Sequence, residues 1–253
     1  MKPDILEKFK LQALTIDEAT QSINPWKSQS HGESQTEDET PNSESKSPEE
    51  KPIPQRLSHL EQVKALCAAG AKWIQIRTKK LVYPEHLEML QEIRAITSES
   101  GTILIINDDV TATAKIKADG VHLGKNDLPA QVARNVLGKN KIIGVTVNSI
   151  ADAEKAKRDN VADYVGLGPF NTTTTKVNSA EPMTLGEIKK CAEILAPIPI
   201  VLIGGISLEN INSASTQPVQ GLAICSAISA HEQAAAISQA YEVFSNAISF
   251  SEL

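Results

Sequence analysis

The 253-residue sequence lacks any long apolar run and contains only three cysteines. A helix that crosses a membrane needs about 20 consecutive apolar residues, so no membrane span is predicted. The first ten residues also lack the apolar stretch of a signal peptide. Cys67, Cys191 and Cys225 form no C-x-x-C pair, and an odd number of cysteines does not suit a disulfide framework. These absences indicate a cytoplasmic protein with reduced thiols.

Positive charge is also scarce, because 31 Asp and Glu residues outnumber 25 Lys and Arg residues and give a net charge of −6. Such a surface does not favour nucleic acid, which proteins bind largely through contacts of Lys and Arg with phosphates. It also repels phosphorylated small molecules at long range, so any phosphate site must be locally positive. The sequence has no convincing arrangement of Ser or Cys with His, so catalysis by a side-chain nucleophile is not indicated.

Residues 28–52 contain seven carboxylates and neither an aliphatic nor an aromatic side chain. This segment cannot bury enough apolar surface to offset its ordering entropy, so it is predicted to be disordered. It interrupts the fold, because residues 9–16 before it still have the pattern of a strand. We interpret it as a tolerated loop insertion, since the cost of closing a loop grows slowly with length. A docking or phosphorylated segment is the alternative.

Short apolar runs rich in β-branched residues alternate with amphipathic segments through the rest of the chain. The predicted strands cover residues 9–16, 72–77, 102–107, 118–123, 141–146, 162–167, 198–203 and 219–225. The predicted helices cover residues 59–70, 84–96, 110–117, 128–138, 150–159, 184–195 and 207–214, the last with Ser207 as its N-cap, and one further helix that runs to the C-terminus.

Continuous apolar strands are typical of a parallel sheet that is buried on both faces. Eight βα units predict an α/β fold, namely a single TIM (β/α)8 barrel domain over residues 1–253 with the disordered acidic insert after its first strand. The active site of such a barrel lies at the C-terminal ends of the strands. A doubly wound open sheet is the alternative, which is weakened because no G-x-G-x-x-G follows the first strand.

Cationic side chains follow two of the predicted strands. Arg77 and Lys79 lie two residues apart after the second strand, so an extended backbone places both on one face. Arg offers phosphate a planar fork and Lys offers a mobile point charge. The polar loop N-T-T-T-T-K at 171–176 adds Lys176. A solvated strand end and a plain polar linker are the alternative interpretations of these two segments.

Two carboxylates follow the third and fourth strands. Asp108 and Asp127 offer oxygen ligands of the kind that Mg²⁺ takes together with substrate phosphates. N-capping of the next helix is the alternative role of Asp127. Asp109 is interpreted as part of the first turn of the helix after strand 3. His122 lies within strand 4, and we interpret it as a packed or supporting residue rather than a catalytic one.

The strings I-G-G-I at 203–206 and I-C-S-A-I at 224–228 follow the seventh and eighth strands. The loops after these strands form the usual phosphate site of a TIM barrel. Glycine there lets backbone N–H groups approach an anion. The sequence therefore predicts two phosphate sites, which suit two phosphorylated substrates or one long one.

Taken together, these strings resemble the thiamine-phosphate synthase family. The resemblance covers roughly residues 57–228 and rests on Q-I-R-T-K, I-I-N-D, A-D-G-V-H-L-G-K-N-D-L-P, I-I-G-V-T, D-Y-V-G-L-G-P-F-N-T-T-T-T-K, I-G-G-I and I-C-S-A-I, in that order. It implies a TIM-barrel transferase that joins hydroxymethylpyrimidine diphosphate to a thiazole phosphate. The products would be thiamine phosphate and pyrophosphate, with Mg²⁺ as the cofactor.

The resemblance also implies a role for each matched residue. The pyrimidine diphosphate is implied at Gln75, Arg77, Lys79, Asn107 and Lys176. The thiazole phosphate is implied at Thr173, Thr174, Thr175, Gly205, Cys225 and Ser226. Further substrate contacts are expected at Ile76, Thr78 and Thr146, the last at a position where the family usually has serine. Arg77, Lys79 and Lys176 are implied to stabilise the leaving group, and Asp108 and Asp127 to bind Mg²⁺.

Two other functions stay open at this point. A related thiazole tautomerase shares the barrel but uses a histidine just past strand 5, where this sequence has Asn148. The second open function is that of a non-catalytic phosphate-binding barrel, which would act as an interaction platform through its acidic insert. The partners expected are phosphorylated small molecules rather than nucleic acid or a membrane, and a homo-oligomer is left open.

Overall fold

The computed structural model describes residues 10–17, 56–78, 85–173 and 180–248. The predicted insert at 28–52 lies outside these residues, as do four predicted site residues, Lys79, Thr174, Thr175 and Lys176. Within the described residues, no helix is long and apolar enough to cross a membrane.

Eight strands and nine helices alternate along the described residues. The strands are β1 Leu11–Leu14, β2 Trp73–Ile76, β3 Ile103–Asn107, β4 Gly120–Leu123, β5 Ile142–Val147, β6 Tyr164–Leu167, β7 Ile200–Ile203 and β8 Gly221–Ile224. The helices are α1 His59–Ala68, α2 Glu85–Glu99, α3 Val110–Lys115, α4 Ala130–Leu137, α5 Ile150–Asp159, α6 Leu185–Leu195, α7 Ile211–Ser215, α8 Ser226–Ser229 and α9 Ala234–Ala247.

Each strand pairs in parallel with the next one, and β1 also pairs with β8, so the sheet closes into a barrel. The closure confirms the predicted TIM barrel and excludes the open doubly wound sheet. All polar residues that follow the strands therefore lie at one end of the barrel, because every strand runs in the same direction.

The largest differences from the predicted helices concern the helix after β7 and the C-terminal helix. The helix predicted over 207–214 is present, but its predicted start and its N-cap Ser207 were wrong, because α7 begins at Ile211 and Asn210 is its N-cap. Asn210 instead fastens the preceding loop, since its Oδ1 accepts from the Ser207 N–H at 2.9 Å and its Nδ2 donates to the Gly205 carbonyl at 2.8 Å. The single C-terminal helix is divided into α8 and α9, because Ala230 leaves the helical conformation.

Two aromatic rings lie among aliphatic side chains inside the barrel, such as Ile105 and Val201. The rings of Trp73 and Tyr164 are fully buried and meet edge to face, with their centroids 4.9 Å apart. Gly144 faces Tyr164 from β5, and a Cβ added there would lie 2.2 Å from the Tyr164 Cζ atom. The glycine therefore leaves the space that the Tyr164 ring occupies.

Replacing Gly144 with alanine is expected to lower the free energy of unfolding by about 1–3 kcal/mol, because close-packed interiors do not accept an extra methyl group without strain. Urea denaturation measures this effect. Gly186 on α6 is the matched control, since its added Cβ would meet nothing nearer than Thr184 Oγ1 at 3.9 Å. Gly186→Ala should raise stability by about 0.5–1 kcal/mol. Equal urea midpoints for the two variants would contradict the packing argument.

Candidate active site

A cavity opens at the C-terminal ends of the strands, with a volume of about 1100 Å³ that includes space open to solvent. It brings together ten of the residues predicted from the sequence. These are Gln75, Arg77, Asn107, Asp108, Asp127, Thr146, Thr173, Gly205, Cys225 and Ser226. They come from the ends of seven different strands or the loops that follow, so closure of the sheet is what gathers them.

Two other predicted residues are described but do not line the cavity. Ile76 is 1% exposed and packs in the apolar core that includes residues of the surrounding helices, so its side chain faces away from the cavity. Thr78 follows β2, and its hydroxyl oxygen is buried.

The cavity floor is polar and internally hydrogen-bonded. The Gln75 Nε2 atom donates to Asn107 Oδ1 at 2.7 Å. His122 lies between two hydroxyl groups, with Nδ1 2.9 Å from the Tyr164 hydroxyl and Nε2 3.0 Å from Thr146 Oγ1. Burial raises the pKa of Tyr164, so this residue stays a neutral hydroxyl at physiological pH. His122 thus supports Thr146 from below, in agreement with its interpretation as a supporting residue.

Asp108 and Asp127 line the same cavity and are the predicted Mg²⁺ ligands. Asp108 has a backbone φ of 65°, a left-handed conformation that is uncommon for residues other than glycine. Asp127 does not cap α4, whose N-cap position is Pro129; its Oδ2 instead accepts from the Gly124 N–H at 2.7 Å. This bond orients the carboxylate and leaves lone pairs on both of its oxygens for another ligand.

The donor set fits Mg²⁺. The described residues contain no group of three or more His, Cys, Asp or Glu side chains that could hold a metal on their own. Mg²⁺ is commonly held by one or two carboxylates together with substrate phosphates and water. Arg77 is the only cation among the described residues of the cavity lining, against two carboxylates. A bound divalent cation would offset the repulsion between these carboxylates and a phosphorylated substrate.

Asn148 is a polar residue of the cavity that the sequence analysis did not assign to substrate binding. Its side-chain amide donates to the Gly168 carbonyl, and its backbone N–H donates to Asp152 Oδ2 at 3.0 Å. Asp152 also pairs with Lys125 Nζ at 2.5 Å. The loops after β4, β5 and β6 are therefore tied together. The position of Asn148 directly after a strand was the sequence signal that could have identified it.

Burial of Asp152 acts to raise its pKa, but the hydrogen bonds from Lys125, Ser149 and Asn148 outweigh burial, so the pKa of Asp152 is lowered. The carboxylate is therefore charged at physiological pH and keeps its bonds to both loops.

The loops after β7 and β8 lie opposite the carboxylates. Gly204 and Gly205 both have positive φ values, of 96° and 65°. A Cβ on Gly205 would lie 2.6 Å from the backbone of Asn171 and Thr172, so glycine allows the loop after β6 to approach closely. The Asn171 N–H donates to the Gly204 carbonyl at 2.9 Å, which holds this approach together.

Cys225 lines the cavity as a neutral thiol. Burial raises its pKa to about 11, although the nearby Arg77 and Arg56 act in the opposite direction. We expect its alkylation by iodoacetamide at pH 8 to be about 100-fold slower than that of a free cysteine, because only the thiolate reacts. Site-resolved mass spectrometry measures the rate. Alkylation at the rate of N-acetylcysteine would show that the thiol is not protected in this way.

The fold and this cavity define a TIM-barrel protein with a polar site that suits phosphorylated small molecules. A comparison with family profiles gives a match over residues 50–228 to the family described as thiamine monophosphate synthase. The chain belongs to this family, which confirms the resemblance found in its sequence motifs.

Individual relatives agree with this assignment. The thiamine-phosphate synthase of Clostridium botulinum is 38% identical over 172 residues, which cover 68% of this chain and 79% of the relative. That of Moorella thermoacetica is 38% identical over 189 residues, which cover 74% and 89%. Among solved structures, a thiamine phosphate pyrophosphorylase from Pyrococcus furiosus superposes with a TM-score of 0.71 at 26% identity, covering 96% of this chain and 97% of that one.

Proposed function

We propose that the chain is a thiamine-phosphate synthase, which transfers the pyrimidinylmethyl group of hydroxymethylpyrimidine diphosphate to the nitrogen of a thiazole phosphate. The observation that carries this proposal is that one cavity holds the predicted carboxylates, the Arg77 guanidinium and the glycine-rich loop of Gly205. Family membership over residues 50–228 supports the same activity. The free state of all three cysteines supports a cytoplasmic location.

The pyrimidine ring would meet the amide pair on the cavity floor. Because Gln75 Nε2 donates to Asn107 Oδ1, the remaining Gln75 oxygen is an acceptor and the Asn107 nitrogen is a donor. A donor and an acceptor side by side are complementary to an aminopyrimidine edge, which presents an amino group next to a ring nitrogen. Their mutual bond fixes which amide end faces the ring.

The reaction breaks the bond between the methylene carbon and the diphosphate oxygen. The electron pair leaves with pyrophosphate, and the electron-deficient methylene carbon bonds to the thiazole nitrogen. Arg77, with Lys79 and Lys176, would stabilise the charge that grows on the leaving oxygens. Mg²⁺ held by Asp108 and Asp127 would supply further positive charge to the diphosphate. No side-chain nucleophile is required, which agrees with the neutral state of the Cys225 thiol.

The thiazole phosphate would lie against the loops after β6, β7 and β8. Gly205, Ser226 and Thr173 line this side and offer backbone and hydroxyl donors to a phosphate. Leu14, Ile203 and Ala223 supply an apolar surface beside them, which suits a heteroaromatic ring.

The structure gives a specific reason to prefer this function over the tautomerase. A tautomerase needs a group that accepts and returns a proton, and an amide does not titrate. Asn148 occupies the position of the expected histidine, and its amide is bonded to the Gly168 carbonyl.

The test is to mix both substrates with the protein and Mg²⁺ and to measure pyrophosphate release and thiamine phosphate formation. Reactions with each substrate alone are the controls. We expect both products in equal amounts, and only when both substrates are present. Tautomerisation of the thiazole without pyrophosphate release would favour the tautomerase, and the absence of any turnover would favour the non-catalytic barrel.

A further inference from the structure

The end of β1 carries a chain of hydrogen bonds that leads to Arg77. Thr15 is fully buried, and its Oγ1 atom accepts from the Arg77 backbone N–H at 3.3 Å. The same hydroxyl lies 2.7 Å from His59 Nδ1 on α1. His59 is 5% exposed, and its Nε2 atom lies 3.2 Å from Asp17 Oδ1.

One arrangement of hydrogens satisfies every link of this chain. The Arg77 N–H can only donate, so Thr15 Oγ1 accepts from it and is free to donate its own hydrogen to His59 Nδ1. The His59 Nε2–H then donates to the Asp17 carboxylate, which can only accept. This tautomer is assigned from the network. Each donor in this arrangement has an acceptor.

Helix α1 holds the same strand end by a second side chain. The fully buried Gln62 accepts from the Ile16 N–H at 3.0 Å and donates to the Ile16 carbonyl at 2.7 Å. Its Nε2 atom also donates to the Leu57 carbonyl at 2.7 Å. The Gln62 side chain thus binds both the N–H and the carbonyl of Ile16, the residue after Thr15. Thr15 therefore has little freedom to move away from Arg77.

We propose that Thr15, His59 and Asp17 form a positioning chain that sets the backbone of Arg77 and thereby aims its guanidinium at the diphosphate. This inference rests on the function proposed above. Arg77 directly follows the last residue of β2, where regular strand pairing ends, and the Thr15 hydroxyl is the partner of its N–H. A misplaced cation stabilises the leaving diphosphate less well, because a displacement of about 1 Å can cost about 100-fold in rate.

Thr15→Val tests the first link, because valine has nearly the same shape as threonine but cannot accept a hydrogen bond. The probe is inorganic pyrophosphate with Mg²⁺, titrated calorimetrically into the full-length protein. We expect about tenfold weaker binding of pyrophosphate, because a guanidinium that is no longer held in position meets the phosphate oxygens less well. The KM for the pyrimidine diphosphate should rise with it, and the KM for the thiazole phosphate should stay unchanged. Thr15→Ser should restore both values.

His59 provides a second test, should Thr15→Val fold poorly. Asn places a polar atom near the position of His Nδ1, and Gln places one near Nε2, so His59→Asn preserves the link to Thr15 and His59→Gln does not. Pyrophosphate binding should be stronger for His59→Asn than for His59→Gln. Lys64→Ala, at an exposed position of the same helix, is the control and should match the wild type.

Two outcomes would overturn the positioning chain. One is wild-type pyrophosphate binding by a folded Thr15→Val, and the other is equal binding by His59→Asn and His59→Gln. If the wild type releases pyrophosphate from the two substrates, either of these results would leave the proposed function intact. A wild type that releases no pyrophosphate would instead count against the proposed function.

Discussion

Asp108→Asn is expected to lower kcat by about 10²–10³, which is the loss that follows removal of one preorganised charge-stabilising group. The variant should need a higher Mg²⁺ concentration for half-maximal rate, because the amide is a weaker ligand than the carboxylate. Its free energy of unfolding should not fall. Asp108 has a φ of 65°, and asparagine tolerates this left-handed conformation as well as aspartate does. Steady-state rates across a Mg²⁺ titration measure both effects.

The neighbouring carboxylate supplies the control for this experiment. Asp109 is the N-cap of α3, where its Oδ1 accepts from the Ala112 N–H at 2.7 Å. Asparagine caps helices about as well as aspartate, so Asp109→Asn should keep both stability and activity near the wild type. A wild-type kcat and Mg²⁺ dependence for Asp108→Asn would remove this residue from the metal site. An equal loss for both variants would point to net charge rather than ligation.

The barrel and most of its site could be predicted because the relevant information is local in sequence. A short β-branched run followed by an amphipathic segment defines one βα unit, and eight such units in parallel place every strand end on one face. Polar residues at the strand ends, such as Asn107 and Asp108, could therefore be predicted to lie together, and both line the cavity. No strand boundary differs from the predicted one by more than two residues, because apolar runs define where a strand is buried.

Side-chain partners between distant segments could not be predicted in the same way. His59 meets Thr15 across 44 positions, and no local pattern in α1 distinguishes a histidine that supports β1 from one that is merely packed. The sequence allowed Asp127 two roles, metal ligand or helix N-cap. Its hydrogen bond with the Gly124 N–H depends on the conformation of the loop after β4. Ser207 precedes a segment with the pattern of a helix. The Asn210 side chain accepts from the Ser207 N–H, however, and the helix begins only after Asn210. Such contacts are set by packing rather than by propensity.

Arg77→Ala is expected to lower kcat/KM by about 10²–10³, because it removes the only cation among the described residues that line the cavity. Arg77→Lys keeps the charge but loses the planar fork that binds two phosphate oxygens at once, so an intermediate loss is expected. Steady-state kinetics with varied pyrimidine diphosphate measure both variants. Lys155→Ala is the matched control, since Lys155 lies on α5 with a side chain that is 69% exposed and pairs with Asp159.

The Cys225 thiol gives a second readout that does not depend on turnover. Burial raises the pKa of this thiol to about 11, and the positive charge of Arg77 opposes that rise. Removal of the guanidinium should raise the pKa further and reduce the thiolate fraction, so alkylation of Cys225 should be slower in Arg77→Ala than in the wild type. Arg77→Lys should retain part of the wild-type rate. If Arg77→Ala lost activity while Cys225 reacted faster, the loss would reflect an opened cavity rather than a missing cation.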